Sequence, residues 1–221
     1  MKGIMIRKSH RLALLGFFAA VILLAWSESA SAIVIGNPSP EFKKGDLGVG
    51  FQLSDLRETL ELDWGMFDAG TLQVLLGTLD NEGKTSSSGK EGGIGYRHKL
   101  DPSFNIGKFP VHLGIVAIFR GGKTKVLDQE FSSTVVHLGV GGVFSPLEHL
   151  NTYAVALYER SQQEKEVVRA GGVKVTTKET DSGPGAAAGA EYWITPSLVG
   201  GIEAHANLVD STLAVFGTFK F

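Results

Sequence analysis

Three histidines offer the most chemistry in this sequence. His112, His137 and His205 each stand at the polar position of a segment in which apolar and polar residues alternate, and Glu203 precedes His205 by two residues on the same face. Imidazoles beside a carboxylate are the ingredients of a divalent-metal centre or an acid–base pair. Their spacing argues against both, because no two of the histidines are separated by a ligand-like interval. The expected arrangement is a hydrogen-bonded network with no metal, no cofactor and no catalytic group. Glu61, Asp63, Arg97, Arg120 and Glu191 occupy the same kind of position, where opposite charges facing one interior can pair. The chain has no cysteine, which removes disulfides, thiolate metal sites and thiol nucleophiles. Gly92-Gly93-Ile94-Gly95 and Gly139-Val140-Gly141-Gly142 lie inside alternating segments and precede no helix, so they read as packing positions rather than phosphate loops.

The elements that must position these groups are strands. From Asp46 onward the apolar period is two: Leu47, Val49, Phe51 and Leu53 alternate with small or polar residues, and so do Leu60, Leu62, Trp64 and Met66. The pattern predicts strands near 46–54, 57–66, 71–79, 91–100, 110–120, 132–144, 151–165, 178–194, 197–208 and 211–221. Most are near the roughly 9–11 residues that a tilted membrane strand needs. Turn centres near 55–56, 85–86, 125–126, 171–172 and 209–210 fold them into five hairpins, setting 46 against 65, 71 against 100, 111 against 140, 151 against about 192 and 198 against 221. Between the hairpins, the connections at 67–70, Asp101-Pro102, Ser145-Pro146 and Thr195-Pro196 are short or proline-marked. The opposite set includes the long stretches around 80–93 and 159–183.

The N-terminal residues order as a secretory signal peptide. Lys2, Arg7, Lys8 and Arg11 precede an apolar run from Leu12 to Leu24, and a cleavage site closes on Ala30-Ser31-Ala32. Removal of residues 1–32 takes the formal charge from −2 to −5, which leaves no basic footprint for nucleic acid. Residues 33–45 are expected to form a short periplasmic segment, and 46–221 one β domain.

Alternation alone does not say which solvent the apolar face meets. A soluble exported barrel binding a small apolar ligand would turn Leu60, Leu62, Leu138 and Val140 inward, whereas a membrane barrel turns them to lipid. Glycines such as Gly48, Gly50, Gly93, Gly95, Gly114, Gly139, Gly141, Gly189 and Gly201 fill the other face, which suits a narrow closed interior better than a solvated exterior. Charges at mid-strand also favour a shared interior. Aromatics near strand ends, among them Trp64, Phe67, Phe109, Phe119, Phe144, Tyr153, Tyr192, Phe219 and Phe221, fit interfacial girdles. In hydrocarbon no sheet edge can stay open, so the first strand must pair with the last.

The span 46–221, with its signal peptide, about ten strands and terminal Phe221, resembles the small bacterial outer-membrane β-barrel proteins. The fold expected is therefore an all-β, closed, antiparallel, up-and-down transmembrane barrel of about ten strands, with eight also possible. Leu213, Val215, Phe219 and Phe221 are similar to the C-terminal sorting signal of that class, although Phe216 stands where its pattern has glycine. The resemblance implies residence in the bacterial outer membrane, contact with its lipid and with the barrel assembly machinery, and a monomer. The expected role is a narrow pore or a structural, surface-presenting barrel, with the 159–185 hairpin facing an outward partner. Glu203-Ala204-His205-Ala206-Asn207 looks like the corresponding region of outer-membrane lipid A deacylases, whose motif has a serine two residues after a histidine. Asn207 stands there instead, so an enzyme is not expected.

Overall fold

The computed structural model describes residues 34–39, 42–54, 57–81, 87–126, 129–168, 174–207 and 211–221. The signal peptide with Ala30 and Ala32, and the residues expected at the tips of several hairpins, lie outside these. Ten strands run in chain order: β1 Leu47–Ser54, β2 Arg57–Phe67, β3 Gly70–Asn81, β4 Ser87–Ile106, β5 Phe109–Val126, β6 Gln129–Leu147, β7 Leu150–Val168, β8 Lys174–Thr195, β9 Leu198–Asn207 and β10 Ser211–Lys220. Each pairs antiparallel with its sequence neighbours, and β1 pairs with β10 to close the barrel. Closure extends to the last residue, where the Leu47 and Phe221 backbones exchange hydrogen bonds of 3.2 and 2.9 Å. No edge strand remains.

The apolar face points outward. Leu60, Leu62, Leu138 and Val140 are 41–51% exposed, which removes the soluble-barrel reading and leaves the inside-out arrangement of a membrane barrel. Leu213, Val215, Phe219 and Phe221 share the outer surface. Tyr153 does not join the outer girdle. It belongs to the odd-numbered, inward set of β7 with Val155 and Leu157, and its hydroxyl finds a buried partner.

The two ends of the barrel differ. At one end the connections are two-residue turns at 68–69, 107–108, 148–149 and 196–197. The expected Asp101-Pro102 turn is instead a bulge within β4. Leu100 faces Leu113 and Phe104 faces Val111, so 101–103 oppose His112 alone, and a bulge tolerates a proline that cannot donate to the ladder. Ser145-Pro146 likewise sits in an irregularity just before the turn at Glu148-His149. β4–β8 are 18–22 residues long, about twice a membrane crossing, and at the other end the β7–β8 hairpin continues from Leu157 and Gly185, level with the last paired residue of β9, to Val168 and Lys174, roughly 35 Å of strand.

The first hairpin has the expected register, with Gly65 donating to the Asp46 carbonyl. The fourth is within one residue of it, with Asn151 facing Glu191, and three shift: Thr71 faces Arg97 rather than 100, Val111 faces Phe144 rather than 140, and Leu198 faces Phe219 rather than 221. Facing residues must point to the same side of a sheet. Thr71 and Arg97 both point inward, whereas position 100 belongs to the opposite face of β4, so parity excludes the expected pair. The faces themselves, set by alternation, are unchanged by these shifts.

Candidate functional site

The lumen holds a segment that does not belong to the sheet. Residues 34–39, expected outside the membrane, run up the short-turn half of the barrel, and Ile35 is 0% exposed. The Ile35 and Gly36 amides donate to the two oxygens of Glu203 at 2.6 and 2.7 Å, and the Tyr153 hydroxyl donates to the same carboxylate at 2.7 Å. Asn37 and Asn151 both donate to Glu191, at 2.5 and 2.9 Å. The Ile35 side chain joins an apolar inner wall formed by Val116, Ile118, Val143, Tyr153, Val155 and Leu157 with Leu75 and Ala187.

Two glycines make room for this plug. Gly36 has a φ of 74° and lies flat against the Arg97 guanidinium, where a Cβ would come within 2.7 Å of its carbon. A Cβ on Gly114 would stand 1.9 Å from the Pro38 carbonyl oxygen. At the rim, Phe42 lies under the Lys220 ammonium, which pairs with Asp46 at 2.8 Å. Beside the plug, a cavity of about 40 Å³ remains among Asp63, Arg97, Glu191, Trp193 and Phe216.

Opposite the apolar wall, charged and amide side chains form a ladder. Glu61 accepts from Gln52, from Gln73 and from Arg97, the last at 3.1 Å. Glu91 pairs with Arg120 at 3.0 Å and Arg57 at 3.5 Å, and Arg120 also donates to the Gln52 amide oxygen at 3.3 Å. Buried charges gain from such pairing because the alternative is an unsolvated ion.

Farther toward the long hairpins, His137, Glu159 and His205 form a third cluster. The Nε2 of His205 is hydrogen-bonded to Glu159 Oε1, and Asn207 donates to Glu159 Oε2 at 3.0 Å. His137 Nδ1 lies 3.6 Å from Glu159 Oε1, beyond a hydrogen bond. The two imidazoles pack edge to face with centroids 5.9 Å apart. His137 and Glu159 are direct cross-strand partners on β6 and β7, whereas His205 lies on β9 with β8 between. The intervening strand lets them meet because it is built of small residues: Gly185 leaves the space that the Glu159 carboxylate crosses, and a Cβ there would lie 2.6 Å from Oε1. Among the described residues, these three are grouped closely enough to hold a metal.

Of the residues singled out in the sequence, Glu61, Asp63, Arg97, Arg120, His137, Glu191, Glu203 and His205 are all buried in the lumen. They divide among three clusters. His112 faces the lumen near the short-turn rim; its cross-strand partner Val143 is six residues along β6 from His137, or roughly 20 Å. Sequence reasoning missed Glu159, Glu91, Arg57, Gln52, Gln73 and the plug. Parity alone would have placed Glu159 on the face of Tyr153 and Val155, but nothing local marks an unpaired segment as a lumen filler.

No family model and no curated protein matches the sequence. Among solved structures, the chain is similar to Ail, the attachment invasion locus protein of Yersinia pestis, at 13% identity over 80% of this chain and 99% of that one, with a TM-score of 0.43. It is also similar to Neisserial surface protein A, at 16% identity over 80% and 100% with a TM-score of 0.38. The N-terminal β-barrel domain of Pseudomonas aeruginosa OprF matches at 10% identity over 80% and 96%, with a TM-score of 0.33.

Proposed function

We propose that this protein is a monomeric, non-enzymatic outer-membrane barrel that is closed by its own N-terminal segment and serves as a structural, surface-presenting barrel rather than an open pore. The observation that carries this reading is the plug: residues 34–39 occupy the short-turn half of the lumen, and Glu203 receives two of its backbone N–H groups. Inward Phe216, set against Gly201, narrows the same half. A ten-strand barrel has little room beyond its side chains, so a backbone segment in the lumen removes the path for solutes. The apolar outer belt accounts for residence in lipid. Leu213, Val215, Phe219 and Phe221 on the closing strand would be read by the assembly machinery. The projecting β7–β8 hairpin, with ion pairs Lys174–Glu166 at 2.5 Å and Lys178–Glu164 at 2.7 Å, is the surface offered to an outward partner.

Single-channel recording in planar bilayers tests the closed reading. The mature barrel should be silent, and deletion of residues 34–39 should produce conductance steps that shift when Arg120 or Glu61 is replaced. Equal conductance with and without the segment would overturn it. Detergent extraction and heat-modifiable gel mobility test the membrane assignment separately.

A further inference from the structure

We propose that His137, Glu159 and His205 form a binding site for a divalent transition metal, with zinc as the ion best suited to it. The donor set is two imidazoles and one carboxylate, one of the sets that hold zinc tetrahedrally while leaving a fourth position open. The ligand atoms lie within 4.8 Å of one another. Zinc at about 2.0–2.1 Å from each ligand would hold them roughly 3.4 Å apart, and His137 Nδ1 already stands 3.6 Å from Glu159 Oε1. Only small side-chain movements are required.

Two further observations point to a ligand there. His137 is 2% exposed, yet neither of its ring nitrogens has a hydrogen-bond partner among the described residues. Buried polar groups are rarely left so, because each unsatisfied group costs about 1–3 kcal/mol. Glu159 also meets no Lys or Arg among the described residues. Its ion pairs are with the two imidazoles. A divalent cation would supply the missing positive charge and engage the orphaned imidazole together. Asn207, donating to the other oxygen of Glu159, is placed to orient the carboxylate from behind.

The nearest open space lies along the inner face of the projecting hairpin. From Glu159 the inward row of β7 continues through Ser161 and Gln163 to a hollow of about 330 Å³ lined by Phe131, Lys165, Val167 and Val175. The long-hairpin end, opposite the plug, is thus the side from which an ion would enter.

The test uses the mature, full-length barrel purified in detergent, stripped with chelator and titrated with zinc chloride. One zinc per barrel is expected. His137→Ala and His205→Ala should each weaken binding by more than the roughly 10–100-fold typical of losing an orienting partner, Asn207→Ala by about that 10–100-fold, and His112→Ala not at all. Heat-modifiable mobility checks that each variant is folded. Should the histidine variants fail to assemble, cobalt added to the wild-type protein decides the question: intense visible absorption of a four-coordinate site supports the proposal, and its absence overturns it. Failure of the wild type to retain zinc, or equal retention by the H137A/H205A double variant, would also overturn it.

Discussion

Glu203 and Glu159 are both lumen carboxylates, yet they are satisfied in opposite ways. Glu203, on β9, takes two backbone N–H groups of the plug and the Tyr153 hydroxyl, all at 2.6–2.7 Å. Glu159, on β7, faces two imidazoles and one amide, and leaves His137 without a hydrogen bond. The first is complete with the polypeptide alone and reads as a structural clasp. The second is incomplete and reads as a site awaiting a cation. Neutral donors suffice for a carboxylate in a dry interior when they are three and well aimed. Where they are fewer or misplaced, the same burial becomes a demand for positive charge.

The two carboxylates should differ most when Glu203 is replaced. Replacing it with alanine strands two backbone amides and a tyrosine hydroxyl, and should lower stability to urea unfolding in detergent by at least about 3 kcal/mol, near 1 kcal/mol per orphaned donor. The N-terminal segment of that variant should become protease-sensitive, and unchanged protection would show that the clasp is not at Glu203. Gly114→Ala attacks the same plug by crowding the Pro38 carbonyl and should cost about 1–3 kcal/mol as an overpacking change. The barrel itself should survive, as judged by heat-modifiable mobility. Glu159→Gln, measured without metal, keeps the size and one acceptor and should cost only about 1 kcal/mol; in the presence of zinc the gap from wild type should widen, because only the wild type gains binding energy. The smallest effect is expected on the projecting hairpin. There a hydrogen bond from Lys178 holds the exposed Glu164 carboxyl below the usual carboxylate range. A depressed carboxyl contributes its slight stabilisation above the unfolded value of about 4.3 and loses it as pH falls through the lowered folded value. Melting curves of Glu164→Gln should therefore nearly overlay wild type at neutral pH and merge with it in acid.

How far these features could be read in advance follows from their range. The alternation in LGVGFQLS and the exposed Leu60, Leu62 and Trp64 are facts of one strand, and a period of two sorts them without reference to any neighbour. Register needs two strands and the loop between them. Parity would have excluded the pairing of 71 with 100, but the choice among the remaining even shifts rests on the loops that close the hairpins, whose lengths alternation does not fix. The His137–Glu159–His205 cluster needs three strands and a gap in a fourth. His205 and Glu159 are 46 positions apart, and what joins them is the absence of side chain at Gly185.

Alternation along the chain is enough to dictate amphipathic strands with an apolar outer face, a glycine-rich and charged inner face and a last strand that runs up to Phe221, because side-chain direction along a strand is a local property of the backbone. Only the tertiary structure decided that residues 34–39 fill the lumen, that Tyr153 faces inward to Glu203, and that two histidines from β6 and β9 converge on one carboxylate while His112 stands apart. Those are consequences of closure. Curling ten strands into a ring brings together inner faces distant in the chain, and the unsatisfied groups on those faces then find partners that no local pattern announces.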